Sequence, residues 1–384
     1  MEHIPYGRQL ISNADIEAVC DVLKSDFLTQ GPVVPLFEQS VADYCGVAHG
    51  VAVNSATSAL HLACLALGVG VGDIVWTSPI TFVASSNCVL YCGAEVDFVD
   101  IDPHSYNLSV ERLAEKLATA QQHGRLPKVV IPVHLCGQPC DMASIYALSQ
   151  RYGFQIIEDA SHAIGSRYQG QPVGGCQFSD ITVFSFHPVK IITTGEGGMA
   201  VTNNAGYAEK MRRLSSHGIT RNTKDMTESP HGPWYYQQIE LGFNYRMTEM
   251  QAALGLSQMR CLDGFVNERQ RLAGKYDESL VNFSLIKRPL QHADSFSARH
   301  LYVVRVPAAK HGEVFARMRE LNIGINLHYI PVHLQPYYKT LGFSAGHCPD
   351  AEAYYSEAIS LPIFPSLSAS QQEFVLNALV EGLS

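Results

Sequence analysis

The sequence predicts an α/β protein: a large, mainly parallel sheet of seven strands with helices on both faces, followed by a smaller α+β unit. Three observations carry this expectation. The chain has 384 residues, 46% of them apolar and only 16% charged, which suits a well-buried globular protein larger than one small core. Short, nearly all-apolar runs alternate with helical stretches as far as residue 202, as in sheets covered on both faces. From about residue 204 the alternation stops.

The elements follow in order. Residues 13–25 read as a helix: Asn13 can cap it, Asp15 and Glu17 suit its first turn, and Ile16, Val19 and Leu23 recur at helical spacing. Thr29-Gln30-Gly31-Pro32 breaks the chain, and a second helix runs to about Cys45. Strands are expected near 51–54, 74–77, 95–99, 128–133, 155–158, 181–186 and 199–202, with helices at 57–68, 81–92 and 141–151 between them. A helix near 205–216 leads into a polar, Trp-containing loop around 220–240, and a long helical stretch begins near 247. A strand near 300–306, a helix near 311–321 and a C-terminal helix near 369–382 belong to the smaller unit. The expected division is an N-terminal arm and helix over 1–30, a large domain over 31–260 and a small domain over 261–384.

Bulk properties narrow the partners. Net charge is −9, from 27 basic and 36 acidic residues, with no basic stripe, so nucleic acid is not an expected partner. The start, MEHIPYGRQL, has no signal-peptide pattern, and no apolar stretch reaches spanning length, so no membrane association is expected. Ten cysteines are scattered without a framework spacing and read as reduced thiols, which makes the cytoplasm the expected location.

Ligands of such sheets bind beyond the carboxyl ends of the strands, and four polar clusters fall there. In SFHPVKIITTGEGG (185–198), Lys190 follows an apolar strand and precedes a glycine-rich turn. Partial burial lowers a lysine's pKa and frees its amine for imine formation, and Ser185, Thr193 or Thr194 can position a phosphate. In IIEDASHAIGS (156–166), Asp159 ends a strand, where a carboxylate can pair with a protonated pyridine nitrogen. His162 can stack on such a ring or orient the carboxylate. NSATSAL (54–60) carries a strand into a helix whose first turn holds Ser55, Thr57 and Ser58, a phosphate site in the making. In SPITFVASSN (78–87), Phe82 stands where it can stack on an aromatic cofactor. Each cluster alone has an ordinary explanation: a surface lysine, a helix cap, a core histidine, a core phenylalanine. Their joint occurrence at successive strand ends points to a cofactor site. His134, Cys136 and Cys140 lack a fourth ligand and fit no common zinc spacing, so no metal is expected.

These residues resemble the DegT-type nucleotide-sugar aminotransferases, of pyridoxal-phosphate fold type I. The resemblance runs along essentially the whole chain, through LTQGP (28–32), NSATSAL, VHLCGQPCDM (133–142), EDASHAIGS, the lysine block, GFNYRMTEMQAALGLSQM (242–259) and HLY (300–302). It implies pyridoxal 5'-phosphate held as a Schiff base on Lys190, with Asp159 on the pyridine nitrogen, His162 nearby and Phe82 on the ring face. It implies that Ala56, Thr57 and Ser185 hold the phosphate, and that Asn244 reaches the phosphate of the partner subunit in a homodimer with shared sites. Tyr6, the stretch Asp26, Phe27, Leu28 and Thr29, and the stretch Asn326, Leu327, His328 and Tyr329 match segments that contact the nucleotide sugar, to which Ala56, Ser185 and Asn244 are added.

Within the family, NSATSAL, SPITFVAS, the Ser-His after Asp159 and SFHPVK resemble most the branch that serves pseudaminic acid biosynthesis. That implies a transaminase using L-glutamate to aminate C4 of a UDP-linked 4-keto-6-deoxy sugar, UDP-2-acetamido-2,6-dideoxy-β-L-arabino-hex-4-ulose, for flagellin glycosylation or a surface polysaccharide. A 4- or 3-aminotransferase on another nucleotide-linked deoxy-keto sugar is the nearest rival. A dehydratase of the same fold typically replaces the lysine with histidine, which Lys190 argues against. A non-catalytic sensor or scaffold of this fold has no need of Lys190 and Asp159, and a nicotinamide oxidoreductase lacks its glycine fingerprint here.

Overall fold

The computed structural model describes residues 3–383. Helices α1 (Asn13–Leu23) and α2 (Val33–Cys45) come first. Then follow β1 (His49–Val53), α3 (Ala56–Ala66), β2 (Ile74–Thr77), α4 (Ala84–Tyr91), β3 (Glu95–Phe98), α5 (Val110–Gln122), β4 (Val129–Ile131), α6 (Met142–Tyr152) and β5 (Gln155–Asp159). The series ends with β6 (Ile181–Ser185), β7 (Gly198–Thr202) and α7 (Ala205–Ser215). Among the described residues these strands form one seven-stranded sheet in the order β1-β7-β6-β5-β4-β2-β3.

All neighbours from β3 to β6 are parallel, while β7 runs antiparallel to both β1 and β6. The exception has a local cause. A parallel connection needs a crossover, usually a helix. The short segment 186–197 between β6 and β7 contains no helix and folds instead into the lysine loop.

Alternation along the strands divides the core. Val75, Ile131, Ile157, Val183 and Ala200 face the cluster built around α3 and α4. Trp76, Val130 and Ile156 face α5 and α6, and Phe184, Met199 and Val201 face α2. Because Asp159 lies two residues beyond Ile157, it falls on the α3/α4 face, and Glu158 falls on the other. Parallel strands buried on both faces explain why their sequences are apolar almost throughout.

After the sheet, the polar 220–240 loop is pinned by pairing of Ile219–Thr220 with Gln237–Gln238. The helical stretch from 247 is two helices, α8 (Glu249–Met259) and α9 (Leu262–Leu280). A second core then forms around the pair β8 (Tyr302–Arg305) and β9 (Ala358–Leu361), α10 (Ala308–Glu320) and α13 (Ala369–Glu381), into which α9 sends Leu272, Tyr276 and Leu280. Between α10 and β9 lie α11 (Pro336–Thr340) and α12 (Pro349–Glu357). The N-terminal arm joins this core: Ile4 is buried in it, and Tyr6 accepts a backbone hydrogen bond from Ile363 (3.0 Å).

Candidate active site

The strand ends on the α3/α4 side open into a cavity of about 920 Å³. Its walls bring together Tyr6, Ala56, Thr57, Phe82, Asp159, His162, Ser185, Lys190 and the run Asn326–Tyr329. Its size falls within the range that takes a cofactor-sized ligand.

Lys190 sits in a loop tied tightly to the end of β6. Its own amide donates to His187 O (2.9 Å), and Thr194 N and Thr193 Oγ1 both donate to Phe186 O (3.0 Å each). The residue is half-buried, but its amine is enclosed by protein. Burial pulls its pKa down from 10.5 to about 8, with Asp159 opposing the shift. An amine in that range is available as a nucleophile near neutral pH.

Asp159 is 4% exposed, and both carboxylate oxygens are held. Ser85 Oγ donates to Oδ2 (2.6 Å), and Ser161 N donates to Oδ1 (3.1 Å). Behind it, Pro132 O accepts its backbone N–H (2.9 Å), and His134 N donates to its carbonyl (3.1 Å).

His162 is buried between Tyr329 and His300, whose ring centroids lie 6.2 and 4.4 Å away. Cys136 N–H donates to its Nδ1 (3.3 Å), so that nitrogen keeps its lone pair, and Nε2 carries the proton toward Tyr329 Oη (3.2 Å). Burial, with help from Lys190 and His328, holds its pKa well below the usual histidine value, so the ring is neutral.

At the far end, three elements meet. Gly198 opens β7 paired with Ser185 on one side and Val53 on the other. A Cβ at Gly198 would overlap Ala56 N and the Ser55 carbonyl carbon, so only glycine lets α3 start this close to the sheet. Ser55 caps α3 by accepting from Ser58 N (3.1 Å). The first-turn amides of Ala56 and Thr57 thus border the cavity beside the Ser185 hydroxyl, a set of donors suited to phosphate. Phe82 lies in the turn before α4 and is 60% exposed, its ring 6.4 Å from that of Tyr329. A phosphate cradle, an exposed aromatic face, a strand-end carboxylate and a desolvated amine fit pyridoxal phosphate.

Two expected groups lie elsewhere in the single chain. Asn244 is exposed and bridges to Ser216, outside the cavity lining. Asp26–Thr29 are exposed, with Leu28 O accepting from Glu249 N (3.0 Å) at the start of α8, and they also lie outside that lining. Ser85 and His300 carry contacts that sequence reasoning missed. Ser85 was signalled only by its position one helical turn after Phe82. His134 offers no metal site: Nε2 faces Glu158 Oε2 (2.7 Å) and Nδ1 accepts from Cys140 N (3.1 Å). Among the described residues no group of three His, Cys, Asp or Glu could hold a metal ion.

Fold and site define the class: a pyridoxal-phosphate-dependent transaminase of fold type I. Residues 9–380 match the model of the DegT/DnrJ/EryC1/StrS aminotransferase family, and the chain belongs to that family. It is 39% identical over 382 residues to the spore coat polysaccharide biosynthesis protein SpsC of Bacillus subtilis, covering 98% of this chain and 96% of that one. Among solved structures, PseC of Helicobacter pylori, an aminotransferase of pseudaminic acid biosynthesis, superposes with a TM-score of 0.91 at 29% identity, over 100% of this chain and 99% of its own. The sugar aminotransferase Spr1654 of Streptococcus pneumoniae, in its pyridoxamine-phosphate form, gives 0.90 at 29% identity over 99% of each chain. The chain is a sugar aminotransferase of this family.

Proposed function

We propose that the enzyme aminates C4 of UDP-2-acetamido-2,6-dideoxy-β-L-arabino-hex-4-ulose, with L-glutamate as donor, giving UDP-4-amino-4,6-dideoxy-N-acetyl-β-L-altrosamine. The observation that carries this reading is that Tyr6 and Asn326–Tyr329 join Lys190 in lining one space large enough for cofactor and sugar together. The whole-chain likeness to PseC supports it. The 39% identity to SpsC favours a second reading, in which another nucleotide-linked keto sugar is aminated for a polysaccharide.

The same reading gives each residue a role. Bound, the cofactor supplies an electron sink for the charge left when a C–H bond gives up its proton. Lys190 would hold it through its amine until the amine of glutamate takes that place; the freed Lys190 Nζ would then take the proton from the glutamate α-carbon and pass it to the cofactor carbon in the first half-reaction. In the second half it would take a proton back from that carbon and deliver it to C4 of the sugar. Asp159 would hold the ring nitrogen's proton, Phe82 would cover one ring face, and Ala56, Thr57 and Ser185 would bind the phosphate. The neutral His162 donates from Nε2 to Tyr329 and shapes the pocket beside the carboxylate.

The exposed Asn244 and Asp26–Thr29 find their use in a homodimer, where they complete the partner's site. On this reading the enzyme works in the cytoplasm. No helix among the described residues is long and apolar enough to cross a membrane.

The test is turnover of the named sugar with glutamate, the product being identified by mass and by NMR coupling constants. Failure with this sugar, beside turnover of an epimer or a 3-keto sugar, transfers the assignment to the second reading. Mixing inactive Lys190→Ala and Asn244→Ala chains tests the dimer: regained activity supports a shared site, and none counts against it.

A further inference from the structure

Two hydroxyls beside the cavity are almost wholly buried, Thr81 at 3% and Ser85 at 0% exposure. Ser85 Oγ lies 2.6 Å from Asp159 Oδ2 and 2.6 Å from Thr81 Oγ1. A serine has one hydroxyl proton, and a carboxylate oxygen can only accept. The Ser85 proton is therefore directed at Asp159, and Thr81 donates to Ser85. The order is Thr81 to Ser85 to Asp159.

This chain of donors does two things. It fixes one carboxylate oxygen from the α4 side, while Ser161 N fixes the other from its own loop (3.1 Å). Each oxygen keeps a further lone pair for a ring-nitrogen proton. It also ties the first turn of α4 to the end of β5. Phe82 stands three residues before Ser85, and Ser85 N donates to Phe82 O (3.2 Å), so the same contact sets the distance between Phe82 and Asp159. A hydrogen bond to a charged acceptor is shorter and stronger than a neutral one, which suits a buried locating contact.

We infer that Thr81 and Ser85 form a positioning relay that aims the Asp159 carboxylate at the cofactor's ring nitrogen and holds the Phe82 turn in register with it. The inference rests on the proposed role of Asp159. Ser85 acts through Asp159 and is a positioning residue.

The test uses holoenzyme of Ser85→Ala, Ser85→Thr, Thr81→Val, Ser86→Ala and Asp159→Asn. Readouts are the pH titration of the visible cofactor band, the cofactor dissociation constant, and kcat separately from KM. For Ser85→Ala we expect kcat to fall roughly 10-fold, as for loss of one hydrogen bond to a charged group, with both substrate KM values within about 3-fold of wild type. We expect a shifted band titration and weaker cofactor binding in the same protein. Thr81→Val should move each readout in the same direction by less, and Ser85→Thr should restore much of the loss. Ser86 is the control, because it is equally buried but bonds Tyr338 Oη (2.6 Å) on the other side of the helix turn. A wild-type band and kcat in Ser85→Ala overturns the inference, as does an equal change in Ser86→Ala. If Asp159→Asn shifts the band and Ser85→Ala does not, the relay alone falls. If Asp159→Asn leaves the band unmoved, the reading of the site beneath it falls.

Discussion

Tyr329 Oη lies 3.2 Å from Nε2 of His162, and the Cys136 amide on the opposite ring nitrogen makes Nε2 the protonated one. A residue supplied by the segment between α10 and α11 thus accepts from one just beyond the end of β5. The ring that borders the carboxylate is locked in a single tautomer by backbone on one side and a phenol on the other.

Removing the phenol tests that lock. Tyr329→Phe keeps the ring contacts but leaves the His162 proton without its partner, a loss of about 1 kcal/mol for a neutral hydrogen bond. We expect kcat/KM for the sugar to fall roughly 5- to 10-fold with folding intact. Steady-state kinetics with both substrates checks this, and unchanged values would show that the bond is incidental.

Stability should fall in mild acid. His162 and His300 are held well below the ordinary histidine pKa and His328 is pushed down to about 3, burial being the leading cause in each. The unfolded chain gains protons near pH 6.5 while the fold refuses them, so this stability is present above about 6.5 and lost as pH falls. Each ring contributes about 1.4 kcal/mol per pH unit below that point. Urea midpoints of the cofactor-free protein at about pH 7.5 and about pH 5.5 measure the loss, and a flat profile would falsify the account.

Lys190 should set the pH dependence of cofactor capture. Its amine reacts only when unprotonated, and its pKa is pulled to about 8. The rate at which cofactor-free enzyme gains its visible band should rise with pH through about 8 and level off well below the 10.5 of a free lysine. Lys190→Ala should form no such band and show no turnover. A rate still climbing steadily beyond pH 10 contradicts the desolvated amine.

Gly198→Ala should damage the phosphate end selectively. The added methyl overlaps Ala56 N, so α3 must move away from β7. Overpacking of this kind costs about 1–3 kcal/mol, and cofactor affinity should fall roughly 10-fold or more. Equilibrium dialysis with pyridoxal phosphate, beside the melting temperature, separates the two effects. Cofactor affinity equal to wild type would remove Gly198 from the cradle.

Much of the fold was legible because parallel strands announce themselves as apolar runs. All seven strands fall where the sequence places them, within a few residues at the ends. The deviations have local reasons. The run at 128–133 stops at Ile131 because Pro132 has no amide to give. The helix expected from 81 starts at Ala84, since Thr81, Phe82 and Val83 make the turn that exposes the phenylalanine. The antiparallel β7 was not legible, because direction depends on how the lysine loop folds back.

Lys190, Asp159, Ala56, Thr57 and Ser185, which line one cavity, were readable as residue types at strand ends. Ser85 was not, because its partner is 74 residues away and only the fold brings the first turn of α4 to the end of β5. His300 likewise meets His162 through the second core, a contact with no trace in local spacing.

The run Asn326–Tyr329 hangs from the second core, not from the sheet. Asn326 and Ser360 exchange backbone hydrogen bonds (3.3 and 2.8 Å), and His328 Nδ1 lies 2.8 Å from Ser360 Oγ. The groups proposed to do the chemistry stand at the strand ends of the large sheet, and the wall proposed to meet the sugar is tied to β9. Divergent descendants can therefore acquire a taste for a new sugar by drift around β9 while inheriting the reactive half untouched. A swap of that wall between relatives should carry substrate preference with it.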